Sequence, residues 1–480
     1  MTRVSRVLPP EPVRSLDAYA AAGGGRALDA ARRIEPAAVI AEVEAAGLRG
    51  RGGAGFPTGT KWRTIAANRS PEPELPTTVV VNGAEGEPGT YKDRAILLAD
   101  PYRVLEGALV AARAVGATDV VVALKDGEPA VAERVSAAVA EMEAAGWLGG
   151  APVEVLLGPR HYLYGEETAL LEVVDGRMPF PRIAPPYRRG VVEVVEEDED
   201  VVAHDGASAH VEMAGPGPET LAPPALVDNV ETLANVPALL VEGAGWFREI
   251  GTRQSPGTIV CTVTGAVRHP GVGEVALGTT VGAAIEEVGG GPLAGGPVKA
   301  VLNGVSAAPV PAALLDTPLT YEDMAAIGSG LGTASLVVVA EETDMTAVAA
   351  GVARFLAVES CGQCTPCKVD GLAVSDALGR LCGRGGGPYD LERVVTALTT
   401  VADGARCNLA SQQQAVVGAI VEGWPEDLAG RTAPGAGAIE PLLVAEVTGL
   451  GEGEVAVDVR HRAKQPDWSY DEDWSGEFPA

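Results

Sequence analysis

The chain has 480 residues with 65 acidic and 36 basic side chains, a net charge of −29, and 46% hydrophobic residues. That hydrophobic content supports packed cores and excludes a disordered chain, and the length allows two to four domains. The acidic balance argues against nucleic-acid binding, in which a basic surface supplies most of the affinity. The opening MTRVSRVLPPEPVRS lacks an apolar signal region, and Arg113 and Asp119 break the apolar run from Ala108 to Leu124. No run reaches the roughly 18 apolar residues of a membrane span, so a cytoplasmic protein without membrane insertion is expected.

In chain order, EPAAVIAEVEAAG (Glu35 to Gly47) predicts a helix, with Pro36 at its first position and Gly47 as its stop. The loop that follows, GLRGRGGAGFPTGTKW (Gly47 to Trp62), contains Gly50-Arg51-Gly52-Gly53-Ala54-Gly55, a match to G-x-G-x-x-G. A dinucleotide fingerprint of that kind follows a strand and opens a helix. Here it follows a helix, so its context points away from an ordinary Rossmann site.

A strand–helix alternation begins next. TTVVVNG (Thr77 to Gly83), TDVVVAL (Thr118 to Leu124) and VEVLL (Val153 to Leu157) read as strands. Asp100-Pro101 caps a helix ending near Gly116, and a second helix covers Glu128 to Gly146. Such alternation predicts a parallel sheet covered on both faces. Between Pro179 and Pro224 the pattern gives way to proline, glycine and acid, including the run Glu196 to Asp200, which reads as a solvated loop. A β-rich module spans GTIVCTVTGAV to SLVVVAEE (Gly257 to Glu342). After Met345, Val348, Val352, Phe355 and Leu356 share one helical face, as do Leu391, Val394, Leu398 and Val401. Ser411 is a candidate N-cap for a helix ending at Gly423, and the segment after Pro425 reads as an acidic, partly ordered tail.

Four segments carry the chemistry. ESCGQCTPCK sets Cys361, Cys364 and Cys367 in C-x₂-C-x₂-C, with Cys407 downstream. Three thiolates at this spacing hold three corners of a [4Fe–4S] cubane, and a remote cysteine closes the site. Zinc is the competing reading, but its structural sites usually come as two separated C-x₂-C pairs. Cys261 and Cys382 read as core or loop residues. VNGAEGEPGTYKDR (Val81 to Arg94) follows the first strand at its carboxyl end, where open α/β sheets bind ligands. Gly83, Gly86 and Gly89 would admit a planar ring there, or Glu85 and Glu87 would simply decorate a turn. HYLYGEETALLEVVDGR (His161 to Arg177) follows the third strand, with Glu166 and Glu167 at a helix start that also favours carboxylates for its own sake. VDNVETLANVP (Val227 to Pro237) offers Asp228, Asn229 and Thr232 at another helix start, suited to phosphate or hydroxyl groups.

With these motifs in this order, and PRIAPPY at Pro181 to Tyr187, the chain resembles the FMN- and NADH-binding flavoprotein subunits of respiratory complex I. Related subunits serve NAD-linked hydrogenases and formate dehydrogenases. The resemblance runs from about Ser15 to Pro425. It implies an α/β FMN-binding parallel-sheet domain over 1–245, a β-grasp soluble-ligand-binding module over 246–342 and a helical bundle bearing a [4Fe–4S] cluster over 343–425, before the tail at 426–480.

It also implies a site. Arg51, Gly52, Lys61, Asn82, Glu85, Gly165, Glu166, Asp228, Asn229 and Thr232 would line FMN, with Gly50, Gly53, Gly55, Gly86 and Tyr162 completing the cofactor pocket. Phe56, Glu87, Glu167 and Tyr187 would face the dinucleotide, and Glu85 and Glu167 would be catalytic. Cys361, Cys364, Cys367 and Cys407 would hold the cluster. The implied reaction is hydride transfer from NAD(P)H to FMN, then one-electron exit through the cluster to a thioredoxin-like [2Fe–2S] protein or a ferredoxin among larger oxidoreductase subunits. The chain departs from the pattern at Thr64, Ala84, Ala184 and Asp228. Those changes, and an acidic stretch at 191–218, remove a cation and add carboxylates near the expected dinucleotide. An FMN/iron–sulfur relay that does not bind NADH is therefore the alternative, and a non-catalytic scaffold a third.

Overall fold

The computed structural model describes residues 4–69, 76–183, 224–451 and 453–470. Four parallel strands build the first sheet: β1 (Thr78–Gly83), β2 (Asp119–Lys125), β3 (Val153–Gly158) and β4 (Ala225–Asn229), in the order β3-β2-β1-β4. The chain moves outward from β1 through β2 to β3, then returns to place β4 on the other side of β1. Neighbouring connections therefore diverge between β1 and β4, the crevice where parallel sheets bind ligands. β4 is absent from the pattern reading, because ALVDN is short and runs straight into the helix Val230–Phe247.

Val79, Val81, Leu226 and the helix Pro101–Val115 share an apolar core on one face of this sheet, and Val80, Ala123, Tyr164 and Leu170 pack on the other. The helix predicted from Glu35 forms as Pro36–Ala46, and Gly47 stops it at φ 69, a left-handed conformation that costs glycine least.

The β-rich module forms a mixed sheet, order β6-β5-β9-β7-β8, from β5 (Thr258–Gly265), β6 (Gly271–Ala276), β7 (Val298–Asn303), β8 (Ala307–Pro311) and β9 (Ser335–Ala340). Cys261 is buried within it. Helices Met345–Glu359, Thr365–Cys382, Pro388–Leu398 and Leu409–Gly423 pack as a bundle around Val348, Val352, Phe355, Leu356 and Leu398, and Cys382 belongs to that core. The last of these helices begins two residues before Ser411. Asn408 holds the N-cap position, so Ser411 sits in the first turn rather than capping it.

Residues 426–451 and 453–470 also depart from their reading as a tail. Helix Pro425–Thr432, the hairpin of β10 (Val447–Gly451) and β11 (Glu454–Val457), and buried Val444, Ala445, His461 and Lys464 pack against the body. Glycine, proline and acid dominate the composition there, and the few anchoring side chains do not stand out from it. Among the described residues, no helix is long and apolar enough to cross a membrane. The run Glu196 to Asp200 lies outside the described residues.

Candidate cofactor site

A cavity of about 770 Å³ opens at the carboxyl ends of β1 and β4, within the range of cofactor pockets. The glycine loop forms one side. The Gly50 N–H donates to Phe56 O (2.8 Å), the Tyr321 hydroxyl donates to Gly50 O (2.7 Å), and the Arg51 N–H donates to the Thr232 hydroxyl (2.8 Å). Gly53 holds φ 126, and a Cβ there would stand in open space. Gly53 also bridges to Gly332 of the β-grasp module. The loop is thus pinned on both sides with its open face free of side chains, as a planar ring requires.

Across the cavity, Asn82 stitches two loops together. Its amide donates to Gly165 O (2.9 Å) and its carbonyl accepts from Ala84 N–H (3.2 Å). β1 and β4 pair with Asn82 opposite Asn229. Asn229 caps the helix Val230–Phe247 by accepting from Glu231 N–H (3.0 Å), and its amide donates to Asp93 (2.7 Å). The positive end of that helix therefore opens on the cavity. Beneath it, Lys92 is fully buried against Asp93 (2.7 Å) and Glu231 (3.0 Å). Burial alone would discharge Lys92, but Asp93, Glu231 and Glu85 outweigh it and hold the ammonium charged.

The acidic residues divide by use. Glu85 is buried, accepts from Asp93 N–H (3.0 Å) on one oxygen and pairs with Arg94 through the other (2.9 Å). Burial opposes its charge, yet Arg94 and Lys92 keep its carboxyl below the usual range. Glu87 accepts from the Tyr162 hydroxyl (2.6 Å) and Val305 N–H (2.6 Å), joining the first sheet to the β-grasp module. Burial pushes its carboxyl up. Glu166 caps the helix Glu167–Val174 by accepting from Thr168 N–H (3.0 Å) and Ala169 N–H (2.8 Å). Glu167 pairs with Lys61 (2.8 Å), and burial pushes the neighbouring Asp228 up to about 6, against the opposing pull of Lys61 and the Trp62 indole N–H (2.7 Å).

The structure brings the residues predicted for the flavin and the dinucleotide into this one cavity, except Arg51 and Tyr187. The Arg51 side chain turns away, fully buried, and donates to Thr258 O and Pro256 O. Tyr187 and Ala184 lie outside the described residues. Thr64 spends its hydroxyl on Thr60 O (2.9 Å) in its own helix. Phe56 is 54% exposed at the cavity, an aromatic face open to a partner ring. The motifs did not reveal Arg49 and Tyr321, stacked at 4.0 Å, nor Ser306, Thr333 and Gln412, which reach the cavity from the β-grasp module and the bundle. Only their tertiary placement marks them.

Cys361, Cys364, Cys367 and Cys407 line a second, smaller pocket. Cys361 and Cys364 come from the loop leading into the helix Thr365–Cys382, Cys367 from the first turn of that helix, and Cys407 from the turn before Leu409–Gly423. Burial pushes the thiols of Cys361, Cys367 and Cys407 up, the last to about 12. Among the described residues, no three His, Cys, Asp or Glu side chains close round a single metal ion. Four thiols around a shared pocket suit a cubane, which gives each ligand its own iron, better than one tetrahedral zinc. Leu163, Cys407 and Leu409 line both this pocket and the large cavity, so a wall of these residues separates the two.

Three family profiles match the chain: the Nuo51 FMN-binding domain over residues 43–238, the SLBB domain over 260–304 and the NADH-ubiquinone oxidoreductase-F iron–sulfur binding region over 347–431. An F subunit of the NADH-quinone oxidoreductase of Rhizobium meliloti (strain 1021) is 37% identical, across 74% of this chain and 79% of that one. The HndC subunit of the NADP-reducing hydrogenase of Solidesulfovibrio fructosivorans is 33% identical, across 82% of this chain and 76% of its own. The crystal structure of an NAD⁺-reducing [NiFe]-hydrogenase in its H₂-reduced state superposes with a TM-score of 0.74 and 29% identity, covering 90% of this chain and 67% of that one. With the fold, the glycine-lined cavity and the four-thiol pocket in agreement, the chain belongs to the family of FMN- and [4Fe–4S]-binding F-type subunits of NADH-quinone oxidoreductases and NAD(P)-reducing hydrogenases.

Proposed function

We propose that this chain is the electron-input subunit of a multi-subunit oxidoreductase, taking electrons from NAD(P)H at the large cavity and passing them out through the cysteine pocket. The observation that carries this reading is the shared wall of Leu163, Cys407 and Leu409 between the two sites. When bound, FMN accepts two electrons together and releases them singly, and the cluster carries one at a time.

The chain's own residues prepare each task. Gly50, Gly52, Gly53 and Gly55 clear one face of the cavity for the ring. Asn82, Gly86 and Gly165 shape the opposite side, and Lys61 with the Asp228–Thr232 helix start supplies the positive end for a phosphate. Phe56 offers a platform for the adenine of an incoming dinucleotide. Glu87, Tyr162 and Glu167 border the space left for it, and Tyr187 belongs to the same group by its motif. With both oxygens engaged, Glu85 acts as a positioning residue, and Arg51 supports the glycine loop from behind. Cys361, Cys364, Cys367 and Cys407 hold the cluster. The two remaining cysteines, Cys261 and Cys382, are buried in separate cores. A further cluster must therefore come from a partner, a thioredoxin-like [2Fe–2S] protein or a ferredoxin.

One observation favours the relay as a second reading: Lys61, a cation facing the cavity, is already paired with Glu167. Anaerobic titration of the reconstituted protein separates the two. Flavin bleaching at stoichiometric NADH or NADPH supports dinucleotide oxidation. Bleaching by dithionite but not by excess nicotinamide leaves the relay. Ala184→Lys should tighten NADH binding, and an unchanged affinity would remove that position from the argument.

A further inference from the structure

None of the three family profiles extends past residue 431, yet the chain continues through a packed segment. Ile439 N–H donates to Cys382 O (2.8 Å) and Leu442 N–H to Ala347 O (3.0 Å), laying the segment along the bundle. It then touches both cofactor sites. On the flavin side, Glu446 pairs with Lys125 (2.8 Å), whose ammonium stands directly behind Gly86 of the cavity loop. Val447 O accepts from Arg94, the partner of Glu85.

On the cluster side, the grip falls on Glu359, two residues before Cys361. One oxygen of this buried carboxylate accepts from Lys464 (2.6 Å) and lies 3.1 Å from the His461 ring, while the other accepts from Tyr162 N–H (3.0 Å). Lys368, next to Cys367, donates to Ser360 O (2.7 Å) and to Pro466 O. Trp468 stacks on His161 with ring centroids 4.2 Å apart and holds φ 69. A bulky residue adopts that conformation only where surrounding contacts impose it.

A buried ion pair adds little net stability, because desolvation offsets its attraction, but it is directional and fixes geometry. We propose that residues 439–451 and 453–470 are a strap that holds the cluster loop at a set distance from the flavin loop. Lys464, acting through Glu359, and Glu446, acting through Lys125, are its positioning residues. This rests on the reading of the cavity and the cysteine pocket as the flavin and cluster sites, and it is independent of which donor reduces the flavin.

The test uses the full-length, reconstituted protein with its flavin reduced photochemically, so that a failure of nicotinamide oxidation does not enter. Lys464→Met should keep its flavin and iron content while amide exchange across residues 359–368 accelerates and flavin-to-cluster electron transfer slows by about tenfold or more, the scale of a small misplacement. Lys464→Arg should restore both. Should Lys464→Met fail to fold, Glu446→Gln and Trp468→Ala carry the same expectation, with exchange rising across 84–94 and 359–368 respectively. Unchanged transfer in the folded variants, whether or not their melting temperature falls, would overturn the proposal and leave the segment a stability element only.

Discussion

Replacing Glu85 by glutamine distinguishes a positioning carboxylate from a catalytic one. Glu85 is buried with Arg94, and breaking such a pair costs about 3–5 kcal/mol when the stranded charge has no other partner. Arg94 retains Glu128 at 2.9 Å and Glu446 at 3.7 Å, and glutamine still offers an oxygen to Asp93 N–H. The loss should therefore approach that of a single charged hydrogen bond, about 2–3 kcal/mol. For a chain of 480 residues unfolding as a unit, at about 1 °C per kcal/mol, melting of the flavin-free protein should fall by about 2–3 °C. Turnover per flavin-loaded molecule, followed with an artificial acceptor, should stay within about threefold, whereas a general acid or base contributes about 10²–10⁴-fold. An unshifted melting curve with turnover reduced a hundredfold or more would refute the reasoning and return Glu85 to a proton-transfer role.

Asp228 provides a pH test. Its carboxyl is raised by burial to about 6, so its contribution to stability is complete below about pH 4 and is lost as pH rises through 6. Asp228→Asn should flatten this part of the flavin-free stability profile and tighten FMN binding above pH 6 but not below pH 5, as measured by fluorescence titration; a profile identical to wild type would exclude Asp228 as its source. Asp93 is also raised by burial to about 6 and retains its own share. Gly53→Ala forces a side chain into φ 126 at the open face of the cavity, and FMN affinity should drop about tenfold or more with the circular dichroism spectrum preserved. Cys407→Ser should lose the electron paramagnetic resonance signal of the reduced cluster and most of its iron while flavin absorbance persists. Full cluster content in that variant would remove Cys407 from the ligand set.

Patterns that repeat over a few residues were legible from the sequence. Strands β1 to β3, the helix at Pro36–Ala46 and the bundle helices follow from runs and periodicities that a chain carries locally. The three clustered cysteines declare themselves by spacing, and the loops after β1 and β3 by their position at strand ends. What each polar group does with its hydrogen bonds was not legible. A glutamate in a glycine-rich loop looks the same whether it faces a substrate, as expected of Glu85, or neutralises a buried arginine, as the structure places it. Arg51 within GRGGAG gives no sign that its side chain turns inward. β4 is five residues long and becomes a strand because β1 offers an open edge, and that pairing sets Asn82 beside Asn229 and creates the crevice. The strap shows the same division over a longer range. Glu446 and Lys125 are 321 residues apart, the groups that meet at Glu359 lie a hundred or more apart, and no local pattern announces them. Composition and short-range periodicity determined the elements and the chemical inventory. Only the tertiary structure decided which charges are spent inside the protein and which remain to meet a cofactor, because burial and the nearest opposite charge set both, and each depends on distant chain.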